Sequence, residues 1–202
     1  MKILKKIISP IAFLLFSIIC LIGALSFHHE QTKPQSEYQL AVAKGLRAPS
    51  GMTRPNENGA YYVFISSPNP EFYASATRGL IYWTDKTHIP FYTTENRKKA
   101  NIKIIDTDKY LSNTNKKRIS VGYTITHNKA VQKCAIIKIS PKAEEKTDAN
   151  TKITTIHEVG HALGLEHVQD KKSIMYPVLN PKQKLTNANI KHARTNYWAV
   201  RP

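Results

Sequence analysis

Cysteine is nearly absent from this 202-residue chain, which has only Cys20 and Cys134. Cys20 falls inside an apolar N-terminal run, so Cys134 stands alone in the remainder. A lone cysteine makes no internal disulfide, and the fold must be held by its core. Cys134 opens the stretch Cys134-Ala135-Ile136-Ile137 and reads as a small buried strand residue rather than a reactive thiol. Acidic residues are scarce too: there are 14 against 30 lysines and arginines, a formal net charge of +16. Lys2, Lys5 and Lys6 belong to the N-terminal segment, which leaves about +13 on the rest. Such a charge favours anionic surroundings, whether cell-wall polymer, acidic membrane or acidic substrate. The basic residues are scattered, with short clusters at Arg97-Lys98-Lys99 and Lys116-Lys117-Arg118. No nucleic-acid motif accompanies them, so a solvated basic surface is expected and no specific nucleic-acid partner. Internal repeats and low-complexity tracts are missing as well. With 41% apolar residues, the chain can fold one domain around a proper core.

What is present begins with an export signal. Three lysines precede Ile7 to Phe27, which carries no charge. A run of ~20 such residues is long enough to span a bilayer. It ends in Gly23-Ala24-Leu25-Ser26, and Ala24 and Ser26 fit the small-x-small pattern of a cleavage site. Residues 1–26 are therefore expected to be a signal peptide cut after Ser26, with a retained membrane anchor as the alternative. Either way the rest of the chain lies outside the cytoplasm. Bulky Ile19 argues against lipidation of Cys20. Residues 27–58 are polar, with Pro34, Pro49 and Pro55, and read as a linker or pro-like segment.

Order begins at the β-rich run Tyr61–Ile65. Asn69-Pro70-Glu71 reads as a helix start, with a cap, a first-turn proline and an early acid. Phe72, Ala76, Leu80 and Trp83 continue at helical spacing to about Asp85. Strands are expected at Ile89–Thr94, Asn101–Ile105, Ile119–Thr126 and Val131–Ile139, with Pro141 closing the last. A helix over Asn150–Leu163 follows a polar loop, and a final helix runs from Thr186 to about Tyr197. Strand, long helix, several strands and two helices make an α+β pattern in one domain.

The chemistry is concentrated in His157-Glu158-Val159-Gly160-His161-Ala162-Leu163-Gly164-Leu165-Glu166-His167. His157 and His161, four residues apart, share one helix face and can reach one cation. They lie beside the stripe Ile153, Ile156, Gly160 and Leu163, which places the metal at the edge of the core. Gly164 tolerates a left-handed backbone, so the helix can end there and return His167 from another direction. Three neutral imidazoles leave a fourth tetrahedral position for water, the mark of a catalytic rather than structural zinc. Glu158 lies about 100° round the helix from His157, so it serves as general base instead of ligand. His28, His29, His88, His127 and His192 form no ligand spacing.

This pattern resembles the metzincin metalloproteases, whose HExxHxxGxxH motif is followed by a methionine turn. Ser173-Ile174-Met175-Tyr176-Pro177 stands in the corresponding place and is most similar to the matrixin branch. The resemblance covers roughly residues 60–198 and is most specific over 157–177. It implies a metzincin (zincin-like) catalytic domain at 59–202: a twisted mixed β-sheet, a long N-terminal helix, an active-site helix and a C-terminal helix. It implies a zinc endopeptidase acting on protein or peptide substrates, which the N-terminal segment would export and which is expected to be a monomer. Met175 would form the floor under the zinc, with Gly164 and Pro177 shaping the site. Substrate would lie along the edge strand Ile119–Thr126, against Val121, Gly122, Tyr123 and Thr124. Some features depart from the family. Val168 stands where a Ser is usual, and Pro177-Val178-Leu179 replaces a Pro-x-Tyr wall. The ion loops of animal matrixins are missing between 100 and 150, so one zinc is expected and no calcium assigned. No Cys lies in 27–133 to act as a propeptide switch. A non-catalytic cell-surface binding protein on the same scaffold is the alternative, and the intact Glu158 argues against it.

Overall fold

The structure, a computed structural model, describes residues 52–107, 120–125, 131–141 and 148–201. Of the two units into which the chain divides, Met1–Gly45 lies outside those residues, and everything below belongs to Leu46–Pro202. The expected signal or anchor at 1–26, residues 27–51, and His28, His29 and His127 thus fall outside the description.

Five strands form one mixed sheet: β1 Tyr61–Ser66, β2 Phe91–Thr93, β3 Ile102–Asp106, β4 Ser120–Ile125 and β5 Ala135–Pro141. Their order is β2-β1-β3-β5-β4. All neighbours run parallel except β4, which pairs antiparallel with β5 from the sheet's edge. The register matches apolar residues across strands. Val63 pairs with Ile102 and Ile65 with Ile104, while Ile102 and Ile104 pair with Ala135 and Ile137. All six are buried, and their i, i+2 spacing sends them to one face. A slip of one residue would reverse that face, so the pattern fixes the register.

Three helices cover the core: α1 Pro70–Thr87, α2 Asp148–Ala162 and α3 Asn187–Val200. Asn69 caps α1 by accepting from the Glu71 amide, and Pro70 takes the first turn. Phe72, Ala76, Leu80 and Trp83 are the buried stripe of α1. They meet Ile153, Ile156 and Val159 of α2 and Ala193 and Tyr197 of α3 in one cluster. The Trp83 indole also donates to the Ile156 carbonyl at 2.9 Å, joining the two helices through a buried hydrogen bond. Among the described residues, no helix is long and apolar enough to cross a membrane.

Several boundaries differ from the sequence expectation. Strand β2 starts at Phe91 rather than Ile89, because His88 adopts a left-handed cap at φ 58° and Pro90 has no N–H to pair. The expected strand Val131–Ile139 is two pieces. Gln132 pairs with Thr53, and β5 proper starts at Ala135. Cys134 sits at that break, half-buried and outside the strand, with its thiol 3.5 Å from the Ala135 carbonyl. Helix α2 starts two residues early, at Asp148. Its carboxylate accepts from the Ser75 hydroxyl and the Arg78 guanidinium of α1. Those two partners, Ser75 first, hold the carboxyl below the usual carboxylate range. Helix α1 runs to Thr87 rather than Asp85, and α3 continues past Tyr197 to Val200. Met52 and Thr53 are buried, although they lie in the stretch expected to be linker.

Gly79 sets the spacing of α1 and α2. A Cβ there would stand 3.0 Å from Thr155 Cγ2 and 3.2 Å from the Lys152 carbonyl oxygen. The carbonyl belongs to helix backbone and cannot rotate away. Gly79→Ala is therefore expected to cost about 1–2 kcal/mol net, despite the better helix propensity of alanine. Urea denaturation checks this, and an unchanged or raised midpoint would contradict it.

Candidate metal centre

The site is built on the C-terminal end of α2, where the helix must leave its carbonyls unpaired unless other groups reach them. Gly164 adopts φ 78°, and the chain closes a Schellman motif around it. The Leu165 amide donates to the Gly160 carbonyl, and the Gly164 amide to that of His161, each at 2.9 Å. The Thr53 amide satisfies Ala162, and the Asn196 side chain of α3 donates to Leu163 and Gly164. Every carbonyl from Gly160 to Gly164 thus has a partner, and the turn that delivers His167 is held from three sides.

Three imidazoles converge. The Nε2 atoms of His157, His161 and His167 stand 3.1, 3.2 and 3.2 Å apart. Among the described residues, this trio is the group able to hold a metal ion. His157 Nδ1 lies 2.7 Å from the Ile174 carbonyl, and His161 Nδ1 lies 2.8 Å from that of Leu165. A carbonyl only accepts, so each Nδ1 carries the proton and donates it. Each Nε2 then presents a lone pair, and the 3.1 Å approach of these two nitrogens is no hydrogen bond. A cation between them resolves the clash of lone pairs. Tetrahedral zinc with bonds of 2.0–2.1 Å would place ligand nitrogens about 3.3 Å apart, close to the observed triangle. The donor set therefore fits zinc.

Burial grades across the trio: His157 is buried, His161 half-buried and His167 exposed. Desolvation pushes the His157 imidazole down to about 4, against the opposing hydrogen bond to Ile174, and the two neighbouring imidazoles lower it further. Burial lowers His161 in the same direction. Both are neutral at physiological pH, as a metal ligand must be. The open side lies towards His167, where water can approach.

Glu158 follows the first ligand and is 3% exposed. It is not among the atoms gathered for a metal. Met175 is fully buried, and its sulfur lies against the backbone of Gly160, one residue before the second ligand. The methionine turn is tied to both ends of the site. Ile174 accepts from His157, and the Met175 carbonyl accepts from the Val168 amide at 3.0 Å. The Ser173 hydroxyl accepts from the Met175 amide and donates to Asn189, which completes the capping box of α3 with Thr186. Pro177 and Val178 are exposed on the segment that follows, while Leu179 packs on the core. Residues Val121–Thr124 lie in the edge strand β4, which packs beside α2. His88 and His192 are exposed and stand apart from the trio.

The sequence did not single out Ser173, Asn189, Asn196 or Trp83 as supports of the site. Thr186 and Asn189 form a capping box, but Asn stands where the sequence signal has Glu or Gln. The reach of Asn196 and Trp83 into α2 depends on tertiary packing and has no local signature.

The sequence profile of the family described as Matrixin matches residues 60–197. The metalloendoproteinase 4-MMP of Arabidopsis thaliana is 41% identical over 49 residues, which is 23% of this chain and 14% of that protein. Two solved structures of myroilysin superpose with TM-scores of 0.40 and 0.42 at 19% and 21% identity. They cover 57% and 59% of this chain and 52% and 48% of theirs. The chain thus spans a small part of the plant relative and about half of the two structures.

The contact between Gly160 and Met175 makes a direct test. A Cβ at Gly160 would fall on the Met175 sulfur, with Trp83 Cζ2 3.5 Å away behind it. Gly160→Ala must displace the turn whose neighbouring carbonyl orients His157. We expect zinc affinity to fall roughly 10-fold or more, the scale seen when groups behind a ligand are disturbed. A chelator-competition titration measures it, and wild-type affinity would contradict this role for Met175.

Proposed function

The chain belongs to the matrixin family, whose zinc site is the histidine triad found here, and from that premise we propose that it is an exported endopeptidase. The observation that carries this reading is the buried Glu158 beside a three-nitrogen site with an open fourth side. A structural zinc needs four protein ligands and no adjacent base.

Zinc held by three neutral imidazoles would supply Lewis acidity, acidifying water and polarising the scissile carbonyl. The protein's own groups do the rest. His157 and His161 are held in the tautomer that presents Nε2, through Nδ1 protons donated to Ile174 and Leu165. The Glu158 carboxylate takes a proton from the attacking water and passes it to the leaving nitrogen. Its low exposure keeps bulk water from competing for that proton. The edge position of β4 supports binding of an extended peptide by backbone pairing along Val121-Gly122-Tyr123-Thr124, which would make recognition tolerant of sequence. The uncharged run after Lys2, Lys5 and Lys6 supports export, and cleavage after Ser26 would release the enzyme.

Glu158→Ala should keep one zinc per chain while peptide cleavage falls by about 10²–10⁴-fold, the usual contribution of a positioned acid–base group. Metal analysis beside cleavage of a peptide library, read by mass spectrometry, checks both parts. Cleavage at the wild-type rate would remove Glu158 from the mechanism. Surface binding that survives zinc chelation, with no cleavage by the wild type, would favour the binding-protein alternative.

A further inference from the structure

Charge is distributed unevenly along the chain, and the structure concentrates the imbalance beside the metal centre. From Lys171 to Pro202 the sequence has seven lysines and arginines and no acidic residue. Four of them, Lys171, Lys172, Lys182 and Lys184, flank the methionine turn, and all four are exposed. A short backbone pairing sets Lys172 beside Lys184. The Lys184 amide donates to the Lys172 carbonyl, the Ile174 amide donates to the Lys184 carbonyl, and Ser173 bridges Lys184.

The side chain of Gln183 completes this clasp. It is 6% exposed, donates to the carbonyls of Lys171 and Val178, and accepts from the Asn180 amide. A buried amide with three partners fixes the lysine-bearing segments relative to each other. They are fixed to the site as well, because Ile174, between Lys172 and Lys184 in the clasp, accepts from His157.

None of the four lysines makes an ion pair among the described residues. The nearest acid in sequence, Asp170, accepts from the Lys172 amide instead. Elsewhere Arg78 and Lys86 each have a carboxylate partner. Like charges carried on clasped segments repel one another, and that repulsion is relieved when an anion docks. A positive rim fastened beside a metal site steers and retains ligands of opposite charge.

We propose that this rim is a docking surface for acidic segments of the protein substrate, so that Asp- and Glu-rich stretches beside the scissile bond are preferred. The proposal rests on the endopeptidase reading, and it is testable without cleavage. The probe is a fluorescein-labelled peptide carrying four glutamates, compared with the same peptide carrying four glutamines. Anisotropy is recorded on the zinc-loaded full chain bearing Glu158→Gln, which suppresses turnover during the measurement. The glutamate peptide is expected to bind about 10-fold tighter at low salt, with the advantage shrinking towards 0.5 M salt. With Lys171, Lys172, Lys182 and Lys184 all changed to Gln, the ratio should approach one. With all four lysines changed to Glu instead, a peptide carrying four lysines should become the better ligand, a gain that misfolding cannot mimic. Equal binding of the two peptides, or a preference that persists without the lysines, overturns the proposal. So does lysine-dependent binding of polyphosphate without binding of the glutamate peptide. A chain that binds as expected but never cleaves would sink the endopeptidase reading and leave the rim standing.

Discussion

Two hydrogen bonds, one buried and one half-buried, hold the metal site in register with the fold. His157 donates from Nδ1 to the Ile174 carbonyl, and His161 from Nδ1 to the Leu165 carbonyl. Each bond chooses a tautomer, aims an Nε2 lone pair and ties an imidazole to a separate stretch of backbone. The first stretch is the methionine turn and the second is the Schellman turn at Gly164. Both turns are themselves secured by α3, through Asn189 to Ser173 and Asn196 to the end of α2. The C-terminal helix therefore acts as the brace of a site to which it gives no ligand. Burial adds to the effect by holding both imidazoles neutral before any metal arrives. Little reorganisation is then needed at binding, which is what a catalytic site requires of its supports.

The sequence made the ligands legible because their spacing is local. A pair four residues apart on a helix, a glycine and a third histidine form one short segment, and Gly164 does adopt the left-handed backbone. The strand and helix order was legible for a related reason: period-two and period-3.6 patterns survive wherever one face is buried. What could not be read is non-local. Pairing of Thr53 with Gln132 splits one expected strand, and Asp148 starts α2 early because Ser75 and Arg78 of α1 reach its carboxylate. Gly160 looked like one member of an apolar stripe. Its deeper constraint, room for the Met175 sulfur, appears only once the methionine turn is folded beneath it.

The graded exposure of the trio gives the centre its direction. His157 faces the core, His167 faces solvent, and the lysine-bearing clasp is fastened to the buried ligand by the Ile174 carbonyl. One structural device thus orients the metal ligand and carries the charged rim. On the docking proposal, chemistry and substrate selection are mechanically linked through a segment containing no acidic residue.

The central claim is that three imidazoles, and only three protein ligands, hold a zinc with one side open. X-ray absorption spectroscopy at the zinc edge tests it most directly on the full chain loaded with one equivalent of metal. The account predicts three nitrogen scatterers at roughly 2.0–2.1 Å with imidazole outer-shell features, plus one oxygen from solvent. A fourth protein ligand closing the shell, or a coordination shell unchanged when His161 is replaced by alanine, would contradict it.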